Sequence, residues 1–316
     1  MAANQPWASF CISTFRRPDF LKAQLASLLQ QSFTDLEIVV SDNDPEGSAA
    51  AVASAFNDPR ISYFHNAENL GMIRSFNKSV ERASGEFVVM VTDDDPVQTG
   101  FLQEMRRLVE AHPGYTLYGG FSRVGTAEGA MELIPADKCF AEILDPRKTA
   151  NLLWSSCLQQ RASVLAVGCI PDYGSPHLAD HALLTLTACR GGAVVVNTMY
   201  SSLSSHDNNF SKFNFDYYLK GCIGFHATMT AAPLPGNQQQ NRKVLYRHLG
   251  TWLIGNMFNL KKYYTRTRFD PAVLAAIDNC ASQILALSYM KRFAARYYLK
   301  EAVYRVKKYL WTRNKQ

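Results

Sequence analysis

Short apolar runs alternate with helical patterns through the first hundred residues of this 316-residue chain. The predicted strands are Ser9–Ser13, Glu37–Val40, Ile61–His65 and Phe87–Val91. Between them, apolar residues recur at helical spacing. The predicted helices are Phe20–Gln30, Ala49–Phe56 and Met72–Arg82. Strands and helices in alternation predict an α/β fold with a doubly wound, Rossmann-like and mostly parallel sheet flanked by helices.

Polar side chains follow every one of these predicted strands. They are Thr14 and Arg16, then Asp42 and Asp44, then Asn66 and Asn69, and finally Asp93, Asp94 and Asp95. The carboxyl ends of parallel strands share one edge of a sheet, and ligands of open α/β sheets bind outside that edge. We therefore expect a binding site there.

The three consecutive aspartates come directly after the apolar run Phe87–Val91. Carboxylates stacked at the end of a buried strand repel one another unless a cation lies close by, and oxygen ligands suit Mg²⁺ or Mn²⁺. An isolated acidic turn would more often be a solvated loop. The polar ends of the other three strands favour the cation site.

The overall charge of +6 is concentrated at one end of the chain. Residues 291–316 contain nine Lys or Arg and one acid, Glu301, which leaves 24 basic and 26 acidic residues in the first 290. A nearly neutral body argues against a nucleic-acid-binding face. Hydrophobic residues make up 47% of the chain and charged residues 19%, as in ordinary globular proteins.

The cysteine pattern and the apolar segments predict a cytoplasmic protein. Seven scattered cysteines without a C-x-x-C pair indicate reduced thiols rather than a disulfide framework. Met1–Trp7 lacks the basic and apolar regions of a signal peptide, and no uncharged apolar stretch reaches about 20 residues.

The second half of the chain is less regular. Leu178–Cys189 has a helical pattern, Ala193–Val196 reads as a strand, and the pattern becomes helical from Asn214 onward. We therefore predict an α/β domain over 1–212, with a more regular half over 1–105 and a less regular half over 106–212. A helical C-terminal region follows over 213–316.

Several common nucleotide and hydrolase motifs are missing. The chain has no G-x-G-x-x-G after the first strand, no G-x-x-x-x-G-K-[ST] and no G-x-S-x-G. A strand-end site rich in Asp and Asn with a flanking Arg instead suits a nucleotide diphosphate held through a metal ion.

The first 105 residues resemble family 2 glycosyltransferases, which have the GT-A fold. The matching pieces occur in order: Thr14–Leu21, Leu28–Phe33, Glu37–Asp42, Asn69–Gly71, Gly85–Glu86 and the acidic motif. Each piece alone is a weak signal, whereas the ordered series is specific.

The resemblance implies that 1–212 is a catalytic domain with a nucleotide-sugar half (1–105) and an acceptor half (106–212). It also implies roles for the residues at matching positions. Thr14 and Arg16 would line the nucleotide pocket, and Asp42 would accept a hydrogen bond from the uracil of a UDP-sugar. Asn69, Gly71 and Asn77 would lie near the ribose and diphosphate. The family often has Arg just before the last of these Asn residues, where this chain has Phe76; Arg74, two residues earlier, is the candidate replacement.

The acidic motif corresponds to the family's D-x-D. The resemblance implies Mn²⁺ or Mg²⁺ bound by Asp95 and Asp93, with Asp94 near the donor. Many relatives read D-x-D-D, a register that would place Thr92 first, so the residue that touches the ion stays open. His206 matches a family histidine that reaches the metal or the diphosphate.

Asp180 matches the family's general base. It stands in Pro176–Leu184, at the start of a predicted helix, where relatives often have a Glu-Asp pair; here Ala179 precedes it. An acid in the first turn of a helix is also favoured by the helix dipole alone. His177 and His181 flank this position and are candidates for acceptor contacts.

The C-terminal tail, Tyr289–Trp311, predicts a basic amphipathic helix. Leu299, Val303, Val306 and Leu310 fall on one helical face. Such a helix suits an anionic membrane surface on the cytoplasmic side, and equally suits packing against the catalytic domain with a solvated basic face.

The resulting prediction is an inverting, metal-dependent glycosyltransferase. It would move a sugar from a nucleotide sugar, UDP-linked by the resemblance, to a glycan or lipid-linked glycan in the synthesis of a cell-surface polysaccharide such as lipopolysaccharide or capsule. The alternative is a non-catalytic GT-A-like module that binds sugar nucleotides or acts as a scaffold. A nucleotidyltransferase is disfavoured because Thr14–Asp19 contains no glycine.

Overall fold

The structure is a computed structural model that describes residues 5–204 and 210–313, with side chains as far as Lys308. The strands are β1 (Ala8–Thr14), β2 (Leu36–Asp42), β3 (Ile61–His65), β4 (Phe87–Thr92), β5 (Leu117–Gly120), β6 (Ser122–Arg123), β7 (Met131–Ile134), β8 (Thr149–Asn151), β9 (Cys157–Gln160) and β10 (Ala193–Val196). Eight of them form one sheet in the order β3-β2-β1-β4-β9-β5-β10-β7, and β6 pairs with β8.

The main sheet is mixed but mostly parallel. β3, β2, β1 and β4 run parallel to one another, and β5 and β10 continue in the same direction. Only β9 and β7 are antiparallel to their neighbours. This confirms the predicted α/β class, and the carboxyl ends of β1, β2 and β4 share one edge, as expected.

The helices are α1 (Pro18–Leu29), α2 (Ala50–Ala55), α3 (Met72–Arg82), α4 (Phe101–Ala111), α5 (Ala136–Leu144), α6 (Arg161–Ala166), α7 (Ala179–Gly191), α8 (Asp216–Ala231), α9 (Gln238–Arg266), α10 (Pro271–Ala286) and α11 (Ala294–Arg313). Pro18 at the start of α1 has the fixed φ that the first helical turn requires. Gly71 precedes α3 with φ +80°, a left-handed backbone that other residues rarely adopt.

Helices cover both faces of the sheet. Alternate residues of the central strands point to opposite faces, so that Phe10 and Ile12 pack toward α1 and α4 while Cys11 packs toward α3 and α7. Burial on both faces explains the nearly continuous apolar runs of β2 and β4.

The C-terminal helices pack onto the α3 and α7 side of the sheet, within the same hydrophobic cluster. Lys261 of α9 is buried and forms ion pairs with Asp278 of α10 and Glu301 of α11. The division between domains at 212 and 213 stays a prediction. None of the helices in the described part of the chain is both long and apolar enough to cross a membrane.

The two faces of α11 have different surroundings. Tyr297, Glu301 and Tyr304 are buried against the preceding helices. Leu299 and Val306, by contrast, are 70% and 62% exposed, and Val303 is also exposed. One face of α11 therefore packs on the domain, and another exposes apolar side chains. The side chain of Leu310 lies outside the described residues.

Candidate active site

The carboxyl ends of β1 and β4 bring Thr14, Arg17 and Asp93 together. The Thr14 hydroxyl donates a hydrogen bond of 2.8 Å to Asp93 Oδ2, and the Arg17 guanidinium lies 2.8 Å from Asp93 Oδ1. A second guanidinium nitrogen of Arg17 lies 2.5 Å from Asp94. One cation thus bridges two of the three consecutive carboxylates.

Asp93 is almost completely buried in this cluster. Burial raises its pKa to about 6, although the charge of Arg17 and the Thr14 hydroxyl act in the opposite direction.

The loop after β2 encloses Asp42. One carboxylate oxygen accepts the backbone N–H of Asp44, and the other accepts the backbone N–H of Ala49 and the hydroxyl of Tyr63. Asp42 is fully buried, so it shapes this loop in the present structure. Its contact with uracil stays a prediction and would require the loop to open.

Arg16 lies at the surface of the same loop. Its Nε is 3.2 Å from the buried carboxylate of Asp44. Burial would raise the pKa of Asp44, but hydrogen bonds, including one from Arg16, lower it on balance. The arrangement leaves Arg16 half exposed at the mouth of the strand-end site, with its backbone in the left-handed region at φ 55°.

Asn69 and Gly71 form the turn that leads into α3. The Asn69 side-chain oxygen accepts hydrogen bonds from the Asn43 amide, at 2.7 Å, and from the Gly71 backbone, at 2.9 Å. These contacts join the loop after β2 to the start of α3.

Arg74 and Asn77 connect α3 to the segment before α7. Arg74 forms an ion pair with Asp172 at 2.8 Å, and Asn77 exchanges two hydrogen bonds with the backbone of Ile170. Both residues were predicted to contact the donor, and in this structure they hold the two halves of the site together. The exposed Arg74 side chain leaves a donor contact open as a prediction.

Asp95 connects the acidic motif to the segment that leads to His206. The Ser204 backbone N–H donates a 2.9 Å hydrogen bond to Asp95 Oδ1, and the Ser204 hydroxyl binds the Asp94 carbonyl oxygen. Burial raises the pKa of Asp95, and the Ser204 N–H partly offsets this. His206 itself lies outside the described residues.

Asp180 lies in the first turn of α7. Its side chain is 28% exposed, and surrounding protein atoms raise its pKa to about 6. The backbone N–H of His181 donates to one carboxylate oxygen. Among the described residues no Lys or Arg pairs with it. A carboxylate with a raised pKa and no cationic partner accepts a proton readily, which is what a general base requires.

Two histidines extend inward from Asp180. His181 Nε2 is 3.8 Å from Asp180 Oδ2, His181 Nδ1 is 2.9 Å from His248 Nε2, and His248 Nδ1 is 2.9 Å from the Leu144 carbonyl oxygen. Burial lowers the pKa of His181 to about 4 and that of His248 to about 3, so both rings are neutral at pH 7.

The carbonyl oxygen of Leu144 determines which ring nitrogens of His248 and His181 carry a proton. It can only accept, so His248 donates from Nδ1 and accepts at Nε2. His181 must then donate from Nδ1, which leaves the unprotonated Nε2 toward Asp180. A lone pair facing a carboxylate disfavours the ionised carboxylate and therefore makes Asp180 a stronger base.

The backbone is strained next to both parts of the site. Four non-glycine residues in 5–204 and 210–313 have a positive φ, and two of them are Arg16 and Leu178. Leu178 is buried at φ 66° and directly precedes α7. Strain of this kind is typical of functional sites, where the surrounding packing maintains it.

Residues 9–162 match the family model described as glycosyl transferase family 2. The match begins in β1, contains the whole acidic strand-end cluster and ends in α6. Residues 9–162 therefore have the sequence pattern of a family 2 glycosyltransferase domain.

Curated relatives share this domain. The chain is 34% identical over 113 residues to the GalNAc(5)-diNAcBac-PP-undecaprenol beta-1,3-glucosyltransferase of Campylobacter jejuni, covering 35% of this chain and 36% of the relative. It is 37% identical over 93 residues to an abequosyltransferase of Salmonella typhimurium, covering 28% of each. The chain thus matches about a third of the length of these relatives or less.

Solved structures share the fold over most of the chain. TarS residues 1–349 of S. aureus, in complex with UDP-GlcNAc, superpose with a TM-score of 0.62 and 14% identity, over 91% of this chain and 83% of that one. A mannosyltransferase of Pyrobaculum calidifontis, in complex with GDP-Man and Mn²⁺, gives 0.60 and 15%, over 94% and 87%. The glycosyltransferase domain therefore has the GT-A fold.

The acidic motif of the family 2 domain has the donor chemistry for a divalent cation. No three potential ligands cluster in the described residues. Mg²⁺-type ions in nucleotide sites are nevertheless held by one or two carboxylates together with phosphate oxygens. Asp95, with Asp93 or Asp94, supplies that number, so the residues present fit the ion.

Three parts of this site were missed from sequence. Arg17 lies within the recognised motif, but nothing in one sequence ranks it above Arg16. Asp44 was noted only as a strand-end residue. His248 is 67 residues from His181, and no local pattern could connect them.

Proposed function

We propose that this chain is an inverting, metal-dependent glycosyltransferase that uses a UDP-sugar. The observation that carries the proposal is Asp180, a partly exposed carboxylate with a pKa of about 6 and no basic partner among the described residues. The family 2 domain supports the proposal, because its strand-end site suits a nucleotide donor.

Asp180 would act as the general base. As the acceptor hydroxyl oxygen attacks the anomeric carbon, its proton passes to the Asp180 carboxylate, and the bond from that carbon to the diphosphate oxygen breaks. The electron pair of this bond leaves with UDP. Attack from the side opposite the leaving group inverts the anomeric configuration.

The strand-end cluster would bind the donor. We propose that Thr14, Arg16 and the loop of Asn69 and Gly71 surround the nucleotide, with Asp93 and Asp94 near the ribose and diphosphate. A divalent cation held by Asp95 and its neighbours, with His206 as a further candidate, would supply positive charge to the departing diphosphate. Arg17 already lies between Asp93 and Asp94 and would have to share them with that ion.

The proposed acceptor is a glycan or lipid-linked glycan in cell-surface polysaccharide synthesis. The exposed apolar face of α11 (Leu299, Val303 and Val306) supports the proposal that the protein binds the cytoplasmic surface of a membrane. Basic side chains flank this face, and an exposed apolar stripe with basic edges is typical of helices that lie in an anionic lipid surface.

Nucleotide binding tests the donor assignment. Calorimetric titration with UDP and with GDP, each with and without Mn²⁺, should show UDP binding that is tighter and strengthened by the ion. Tighter binding of GDP would contradict the uridine assignment while leaving the transferase proposal intact. Proton NMR of the first product formed should show the anomeric configuration opposite to that of the donor.

A further inference from the structure

A cavity of about 560 Å³ opens between the loop after α5, one face of α9 and the start of α11. Five basic side chains line it: Arg147, Lys243, Arg247, Arg292 and Arg296. No acidic residue of the described ranges lines it. None of the strand-end residues reaches this cavity, so it is separate from the donor site.

The basic side chains come from two helical faces and one loop. Lys243, Arg247 and Thr251 are four residues apart along α9. Arg292, in the 3-10 turn Lys291–Phe293 just before α11, and Arg296, in the first turn of α11, have the same spacing. The two helices therefore direct cations toward the same space. Like charges gathered in this way repel one another, and an anion bound between them relieves that repulsion.

Two of the cationic side chains, Arg147 and Arg247, are held in place by one buried carboxylate. Asp145 is buried, and its Oδ2 lies 2.7 Å from both Arg147 and Arg247. The guanidinium of Arg292 lies 4.6 Å from the ring centre of Tyr246, a cation–π contact. Lys243 and Arg296 form no ion pair within the described residues. Asp145 balances only one of the five charges.

The basic side chains that line the cavity suit a phosphate group. Guanidinium groups match phosphate oxygens with paired hydrogen bonds, and several of them around one space suit a ligand with more than one negative charge. A carboxylate would satisfy one Arg, whereas a phosphomonoester or a diphosphate can engage three or four of these side chains.

The apolar face of α11 indicates where the phosphate comes from. Arg296 of the cavity lies on the same side of the helix as Leu299, Val303 and Val306, since these residues follow at helical spacing. The exposed apolar face therefore begins at the edge of the cavity. A lipid in the surface that α11 contacts would have its head group at that position.

We propose that this cavity binds the phosphate or diphosphate head group of a membrane lipid. The proposal deepens the membrane association proposed for α11 and rests on it. It gives the chain a second anion site, for a lipid phosphate, besides the site for the nucleotide diphosphate.

The test compares vesicle binding of three proteins: the full chain, Lys243→Gln with Arg296→Gln, and the control Lys262→Gln with Lys307→Gln. All four substituted side chains are exposed, and the control removes the same charge from α9 and α11 outside the cavity. The vesicles are phosphatidylcholine with phosphatidic acid, a phosphomonoester, or with phosphatidylglycerol, a phosphodiester, at matched surface potential. Free pyrophosphate is titrated as a soluble competitor.

The full chain should prefer phosphatidic acid by about fivefold or more. The cavity variant should lose that preference, and the control should keep it while binding both vesicles more weakly. Equal preference in all three proteins, or none in the full chain, would overturn the proposal. Tight binding of pyrophosphate without any preference among the vesicles would assign the cavity to a soluble polyanion instead of a lipid.

Nucleotide release from sugar nucleotides is measured on the same proteins without vesicles. The cavity variant should release nucleotide at the rate of the full chain, since the cavity is remote from the donor site. If the full chain releases none, the transferase proposal fails, while the vesicle result still decides the lipid site.

Discussion

His181 and His248 are joined by a hydrogen bond of 2.9 Å between Nδ1 of the first ring and Nε2 of the second. Because His248 also donates to the Leu144 carbonyl oxygen, the bond fixes His181 with an unprotonated Nε2 toward Asp180. The proposed base is thus influenced by a residue 68 positions further along the chain, on α9.

Replacing His248 with Phe should move the acid limb of the pH–rate profile. In the native chain, activity should rise with pH through about 6 as Asp180 ionises. Without His248, the His181 ring can carry its proton on Nε2 and donate toward Asp180, which favours the carboxylate and lowers its pKa. The midpoint of kcat against pH should fall by about half a unit to one unit.

Within the described residues, the other titratable groups coupled to Asp180 do not titrate in this range. Burial and the charge of Asp180 raise the pKa of Tyr173 and of Cys157 above their ordinary values. Burial lowers the pKa of His177, three residues before Asp180 in the chain, to about 4. A His248 variant with lower kcat but an unmoved midpoint would mean that His248 has a structural role only.

Asp180→Asn should abolish transfer and stabilise the protein. The folded pKa lies above the ordinary value of 3.8, so the folded state holds a proton more tightly than the unfolded one. Native stability therefore falls as pH rises from about 4 to 6, and an amide removes that loss. Urea unfolding at pH 7.5 should show a gain on the order of 1–2 kcal/mol that disappears near pH 4.

Asp216→Asn is the matched control, because Asp216 is also in the first turn of a helix but is exposed. It should change neither activity nor stability appreciably. UDP affinity should be the same in both variants. Full transfer activity in Asp180→Asn would exclude Asp180 as the base.

Arg17→Gln should strengthen Mn²⁺ binding in the absence of nucleotide. Arg17 bridges Asp93 and Asp94, and its loss leaves two neighbouring carboxylates that a divalent cation can neutralise. Calorimetric titration should show an affinity several-fold higher than in the native chain. Arg60→Gln, which breaks the distant ion pair with Asp58, should leave it unchanged. Weaker Mn²⁺ binding in Arg17→Gln would place the ion elsewhere.

Leu299→Asn combined with Val306→Asn should release α11 from anionic vesicles. Both side chains are exposed, so the variant should keep its free energy of unfolding and lose about 1 kcal/mol of vesicle binding per side chain. Deleting the tail from Lys291 is a poorer test, because it also removes Glu301, the partner of buried Lys261. Unchanged vesicle binding in the double variant would remove the case for α11 as a membrane contact.

The first half of the fold could be predicted closely from the sequence. Ile61–His65 and Met72–Arg82 have the predicted bounds, and β1, β2 and β4 extend one or two residues beyond theirs. Buried parallel strands with polar ends give a strong local signal. Neither α4 nor α5, between residues 101 and 144, was predicted, although each helix has one apolar and one polar side.

The candidate site was predictable only where its residues are local in sequence. The acidic motif and Asp180 are short patterns, and the structure places both at element ends. The link from Arg74 to Asp172 spans 98 positions and that from His181 to His248 spans 67, so they depend on tertiary packing. The buried state of Asp42 likewise follows from Tyr63 on the neighbouring strand.

Nucleotide release from a panel of UDP- and GDP-sugars, with Mn²⁺ or with a chelator, tests the central proposal most directly. One UDP-sugar should release UDP in the presence of Mn²⁺, and both the chelator and Asp180→Asn should abolish the release. Release that persists at the native rate in Asp180→Asn, or no release from any sugar nucleotide, would contradict the proposal that this chain transfers a sugar with Asp180 as the base.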